Sequence, residues 1–219
     1  MSEHPHQIPA EAKGSDQTGA GSSPGRDLPG DDRPQDGAKV SGTSRDRVVT
    51  SHPVIEAVLA RYAEVIGADL GAYRNHVYRG LTYQQRLLGR DEVTNDLALA
   101  WAVHDLGIWT AGTFDYIAPS ADLARKHAAE AGVENLPLVI EMVELHHKIR
   151  SVENPLVETF RRADRTDAFR GNLRGRLSRA DVAEVTEVLP YRGFHRFLFR
   201  QTARNFVRHP LRPLPMFHW

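Results

Sequence analysis

The sequence predicts an all-α domain of seven or eight helices behind a disordered N-terminal tail. Three observations predict it. Apolar residues recur at spacings of three and four from Ser51 onward, no segment alternates with the period of a strand, and Ser, Pro and Gly punctuate the periodic stretches where helices would start and stop. No internal repeat is visible.

Residues 1–48 are rich in Gly, Pro, Ser, Asp and Gln and hold no aromatic residue. Such a segment buries too little apolar area to offset its ordering entropy, so it reads as a flexible tail. Residues 49–219 are then the helical domain, with a core over 70–171 and a C-terminal helical extension over 172–219. A first helix starts at a capping Ser51 with Pro53 just inside, carries Val54, Val58, Tyr62 and Ile66 on one side, and stops at Gly67. A second covers Leu70–Leu88. A third, Glu92–Leu106, is apolar almost all round and belongs in the middle of the domain. Gly107–Pro119 reads as an irregular loop over a site. Further helices cover Ser120–Ala131, Pro137–Arg150, Pro155–Arg170 and a stretch capped by Ser178 that ends before Pro190. The segment GFHRFLFRQTARNFVRH reads as a basic amphipathic helix that packs Phe197, Leu198 and Phe206 on the domain. The closing LRPLPMFHW is extended, and its apolar end docks on the core.

The chain has 219 residues, zero formal net charge and no cysteine. No nucleic-acid partner follows from a neutral balance, and disulfides and thiolate metal sites are excluded. No apolar run reaches the roughly 20 residues of a membrane span, so a cytoplasmic location with no membrane partner is expected. A homodimer is compatible with the sequence.

The chemistry gathers around His104 and Asp105, at the end of the most apolar helix. A buried ionised Asp is costly unless it is paired or binds a cation. Neighbours on a straight helix point about 100° apart, so both reach one point only at the helix end, where Gly107 loosens the backbone. His76 borders the apolar side of the second helix. His146 and His147 extend the apolar stripe of the fifth. Asp164, and Asp167 one turn on, share the buried side of the next. Each alone also reads as a hydrogen-bonded core residue. Together they fit a metal site fed by several helices of a bundle. His127 reads as an exposed helix residue.

His76 in NHVYRG, His104–Asp105 in AVHDLG and Asp164 in RADRTD, taken in order, resemble the HD superfamily of metal-dependent phosphohydrolases over roughly Leu70 to Gly171. The segments HVYRGLTYQQRLLG, AWAVHDLGIWT, FDYIAPSADLARKHAAEAG and IEMVELHH are similar to its cyanamide-hydratase-like branch. Where other branches place Glu or Lys after the His-Asp pair, this chain has Ile108. It also offers Asp115 and Tyr116 where dinuclear relatives place a His ahead of a small-Ala pair, here Ser120–Ala121. The resemblance implies His76, His104, Asp105 and Asp164 as ligands of a divalent transition metal (Zn, Mn, Fe, Co or Ni). One ion is expected, although Asp115 with His146 or His147 could hold a second. Asp167 is the alternative to Asp164.

The function implied is hydrolysis of a phosphate ester of a small molecule or nucleotide by metal-activated water. His146 or His147 would serve as general acid/base. Arg79, catalytic or substrate-binding, and Lys148, Arg150 and Arg165 would contact substrate oxygens. Two alternatives stand beside it: a hydratase of a nitrile-like substrate or an iron-dependent oxygenase on the same fold, and a non-enzymatic helical adaptor with a vestigial site.

Overall fold

A computed structural model describes residues 48–208, 210 and 216. All of them belong to the unit Ser41–Trp219. The expected tail lies outside the described residues except for Val48. Of the terminal LRPLPMFHW only Met216 is described, and it is buried against Ile108, Phe114, Tyr116, Ile117 and Phe197.

The described residues form helices and turns, with no strand among them. The helices are α1 (Pro53–Arg61), α2 (Ala63–Ile66), α3 (Leu70–Leu88), α4 (Asn95–Val103), α5 (Gly107–Thr110), α6 (Ile117–His127), α7 (Leu136–Leu145), α8 (Pro155–Ala168), α9 (Arg179–Val188) and α10 (Phe194–Arg208). Eight of these run nine residues or more, and α2 and α5 are single turns. The expected first helix breaks at Tyr62 into α1 and α2. Its cap is His52 rather than Ser51, with Nδ1 accepting from the Val54 amide at 3.3 Å. Ser178 does cap α9, in a reciprocal box with Asp181.

Helices α3 and α4 form the centre. Every residue of α4 from Leu97 to Val103 is buried, which is why its sequence shows no polar face. Helix α3 packs against α4, α8, α9 and α10, and α4 packs against α1, α6 and α7. Where α3 and α4 meet, Gly80 lets the Trp101 ring lie directly on the α3 backbone, since a Cβ there would overlap that ring. The Trp101 indole N–H donates to Gln84 Oε1 at 2.7 Å, which fixes the ring. Gly107 is needed for a similar reason: a Cβ would meet the Tyr116 carbonyl and the Ser120 hydroxyl. Close approach, not backbone freedom, explains this glycine.

His127 is buried, not exposed as its position near a helix end suggests. Its Nδ1 faces Arg61 Nη1 at 3.3 Å and its Nε2 faces the Tyr62 hydroxyl at 2.8 Å. A guanidinium only donates, so Nδ1 accepts and Nε2–H donates to Tyr62, which requires the neutral ring. Burial first, then Arg61 and Lys126, lower its pKa.

Two outcomes follow from this packing. Gly80→Ala should cost about 1–3 kcal/mol of stability in chemical denaturation, despite the better helix propensity of alanine, because the Trp101 ring must move. For His127, a folded pKa below the unfolded value of about 6.5 means its contribution is present above that pH and lost as pH falls through the lowered value. The stability difference between wild type and His127→Gln should therefore shrink on going from about pH 7.5 to 5. A difference independent of pH would refute the neutral-ring assignment.

Candidate metal centre

Four helices and one turn deliver the candidate ligands. His76 lies in the middle of α3. His104 is the C-cap of α4, and Asp105 follows in the turn to α5. His146 is the C-cap of α7, and Asp164 lies on α8. One donor atom from each of His76, His104, Asp105 and Asp164 falls within 4.8 Å of all the others. The separations that involve an imidazole run from 3.0 Å, between His76 Nε2 and His104 Nε2, to 3.7 Å, between His104 Nε2 and Asp164 Oδ1. None of the four residues is more than 4% exposed. The α4 helix ends at Val103, so His104 and Asp105 sit on a turn and converge: His104 Nε2 is 3.4 Å from Asp105 Oδ2.

The histidine tautomers are set by groups that can only accept. His104 Nδ1 donates to the Trp101 carbonyl at 2.9 Å, and His146 Nδ1 donates to the Val143 carbonyl at 2.7 Å. Both are bonds from the residue just past a helix end to a carbonyl three residues back, one of the acceptors a helix end leaves open. His76 Nδ1 donates to Asp167 Oδ2 at 2.7 Å. Each ring therefore turns Nε2 toward the carboxylates. His76 and His104 thus face each other nitrogen to nitrogen at 3.0 Å. Two lone pairs at that distance repel unless a proton or a cation sits between them. His146 Nε2 and Asp105 Oδ1 are buried, 3.4 Å apart, and neither makes a hydrogen bond.

Titration agrees with a space shaped for positive charge. Burial opposes charge on His76, but the nearby Asp105 carboxylate and the hydrogen bond to Asp167 carry the pKa up to about 9. Burial likewise opposes charge on His146, and the Asp105 carboxylate raises its pKa. Burial would raise Asp105 and Asp164, yet the surrounding imidazoles hold both below the usual carboxylate range. A metal ion held there would compete with protons for the same imidazole nitrogens. The buried set of two imidazoles and two carboxylates could therefore hold a metal ion.

Asp164 and Asp167 have different jobs. Asp164 faces the cluster. Asp167 turns away and binds Arg79 through both oxygens, at 2.5 and 2.8 Å, as well as His76 Nδ1. Arg79 is fully buried, and its third nitrogen donates to the Leu189 and Pro190 carbonyls. This corrects the expectation that Arg79 touches substrate: its guanidinium is used up in holding Asp167, and Asp167 holds the His76 ring.

A second group, Asp105, His146 and His147, also brings ligand atoms within 4.8 Å. Asp115, the expected contributor to a second ion, is exposed and outside it. His147 lies at the edge, its side chain 17% exposed, with Nδ1 4.0 Å from Asp164 Oδ2 and Nε2 2.6 Å from the Tyr116 hydroxyl. Burial and then His146 push its pKa down to about 3, so its ring is neutral. Lys148 and Arg165 are half-buried beside it, with Arg165 Nη2 donating to the Lys148 carbonyl at 3.4 Å; Arg150 is exposed.

Several supporting residues escaped the sequence reading. Phe194 of α10 stacks on His76 with centroids 4.1 Å apart, and Phe160 meets His104 edge-on at 5.6 Å. Tyr116 was visible only as a departure from a family pattern. A Phe two residues before an Arg on a basic helix carries no signal that it covers a ligand. No known protein-family model, curated protein or solved structure matches the chain.

The division between the aspartates predicts two different losses. Asp164→Asn should abolish binding of a divalent transition metal. Asp167→Asn should weaken it about 10–100-fold, as loss of a carboxylate behind a ligand histidine does. Metal titration of both variants, with circular dichroism to check folding, measures this. Equal losses would make Asp167 a direct ligand.

Proposed function

We propose that this chain is a metal-dependent hydrolase of the HD type, acting on a phosphate ester of a small molecule or nucleotide. The observation that carries the reading is the buried group His76, His104, Asp105 and Asp164, four donors from three helices and a turn within 4.8 Å. That group, in this chain order, is the pattern on which the sequence resemblance rests. A divalent ion held there would supply Lewis acidity toward a phosphoryl oxygen and a lowered pKa for water.

The chain's own residues do the remaining work. Asp167 and Arg79 hold the His76 ring in one tautomer. The carbonyls of Trp101 and Val143 do the same for His104 and His146. Phe160, Phe194 and Trp101 exclude water from three sides and keep the local dielectric low, which strengthens every charge interaction at the centre. His147 is the most accessible imidazole of the group, neutral, and hydrogen-bonded to a phenol. The neutral ring has a lone pair to accept a proton from a reacting water or hydroxyl, and Tyr116 holds it in place. Lys148 and Arg165, beside His147, are the cations best placed for phosphate oxygens.

The purified protein, loaded with Mn, Zn, Fe, Co or Ni, should release phosphate from members of a nucleotide and sugar-phosphate panel. His104→Ala and Asp105→Ala should lose both the ion and the activity. His147→Ala should keep the ion and lose about 10²–10⁴-fold in kcat. A wild-type protein that binds no divalent ion under any loading condition would sink the reading. Urea formation from cyanamide, or oxygen consumption by an iron-loaded protein, without phosphate release would transfer the same centre to a different reaction.

A further inference from the structure

Helix α10 presents two apolar stripes, and the domain uses only one of them. Phe194 and Phe197 are buried, Phe194 on His76 and Phe197 stacked on Trp109 with centroids 4.8 Å apart at 10°. Phe206, expected to pack on the domain, does not. Phe199, Phe206 and Val207 are 77%, 56% and 81% exposed. At about 100° per residue, these three and Ala203 fall within an arc of about 100° on the side opposite Phe194. Arg196 lies within that arc and Arg200 about 20° beyond its edge, while Arg204 and Arg208 continue round toward the side of the buried Phe197. The helix holds no acidic residue, and none of these arginines has an ion pair among the described residues.

We propose that the outer face of α10 seats the protein on an anionic lipid bilayer, with Phe199, Phe206 and Val207 entering the acyl boundary and the arginines meeting the headgroups. Three observations select this occupant. The strip is the convex side of a helix lying on its domain, a shape that suits a planar surface better than a segment needing a groove. The arginines require negative charge opposite, which anionic headgroups supply. A second copy would bring the same unpaired arginines against these, and like charges facing across a two-fold interface oppose it. Arginine stems lie along apolar surface while their heads stay in the polar layer, so Arg196 and Arg200 act together with the apolar strip. The chain carries no net charge, so the attraction belongs to this face and not to the molecule as a whole. The inference stands on α10 alone and does not depend on the metal centre.

Sedimentation of the full chain with vesicles tests it. The probes are vesicles of phosphatidylcholine alone and with about 30% phosphatidylglycerol, at about 0.1 and 0.5 M salt. The expected result is binding to the anionic vesicles, at least about tenfold weaker on phosphatidylcholine alone and about tenfold weaker at high salt. Phe199→Ser with Phe206→Ser, and separately Arg196→Gln with Arg200→Gln, should each abolish it while leaving helicity and metal content unchanged. Absence of binding to anionic vesicles overturns the proposal. So does binding that survives the Phe pair, which would be charge attraction without seating. A concentration-dependent dimer that the Phe pair converts to monomer, with no vesicle binding, would assign the face to a second copy instead.

Discussion

Asp105 and Asp164 bring two carboxylates into one buried space, and an uncompensated pair there would be prohibitively costly. Much of the surrounding structure answers that cost. Three helices turn imidazole Nε2 atoms toward the pair, and each ring is locked from behind by an oxygen that can only accept. The lock on His76 is itself charged, so it needs a partner, and Arg79 supplies it by reaching from one turn along α3. The Arg79 guanidinium then ties the centre to the end of α9 through the Leu189 and Pro190 carbonyls. A region remote in sequence is thus drawn to the site by hydrogen bonding.

The helices were legible because their signals are local. Apolar spacing marked α3, the all-apolar run marked α4 although its start lies at Asn95 and not at Glu92, and the capping Ser178 placed the start of α9. His76, His104, Asp105 and Asp164 were legible as polar residues on faces that had to be buried, and the structure brings them together. Legibility failed where a residue's environment comes from a distant segment. His127 looked exposed because nothing in ARKHAAEAG reveals that Arg61 and Tyr62 meet it. Arg79 looked like an anion contact because a spacing of one turn from His76 does not say which way the side chain goes. Asp164 and Asp167 stand about 60° apart around α8 and share its buried side, so periodicity alone does not choose between them.

The centre is also enclosed on most sides by aromatic rings. Tyr73, Trp101, Phe160 and Phe194 surround the imidazoles, and the edge that reaches solvent is the one at His147, in the turn after α7, whose side chain is 17% exposed. Polar groups that reach solvent are gathered on that edge, among them Lys148 and Arg165. The donors are fixed by α3, α4 and α8, and the exposed edge belongs to the turn after α7.

Two of the ligand-bearing positions, His104 and His146, are the residues on which α4 and α7 end. Peptide dipoles sum along a helix to roughly half a negative charge at its C-terminal end. Both helices thus aim their negative ends at the buried cluster that holds Asp105 and Asp164. That field deepens the attraction for a cation and repels an anion from the centre while no cation is there. Under the proposed function, a phosphate-bearing molecule would meet that repulsion until an ion held by the four donors offset it.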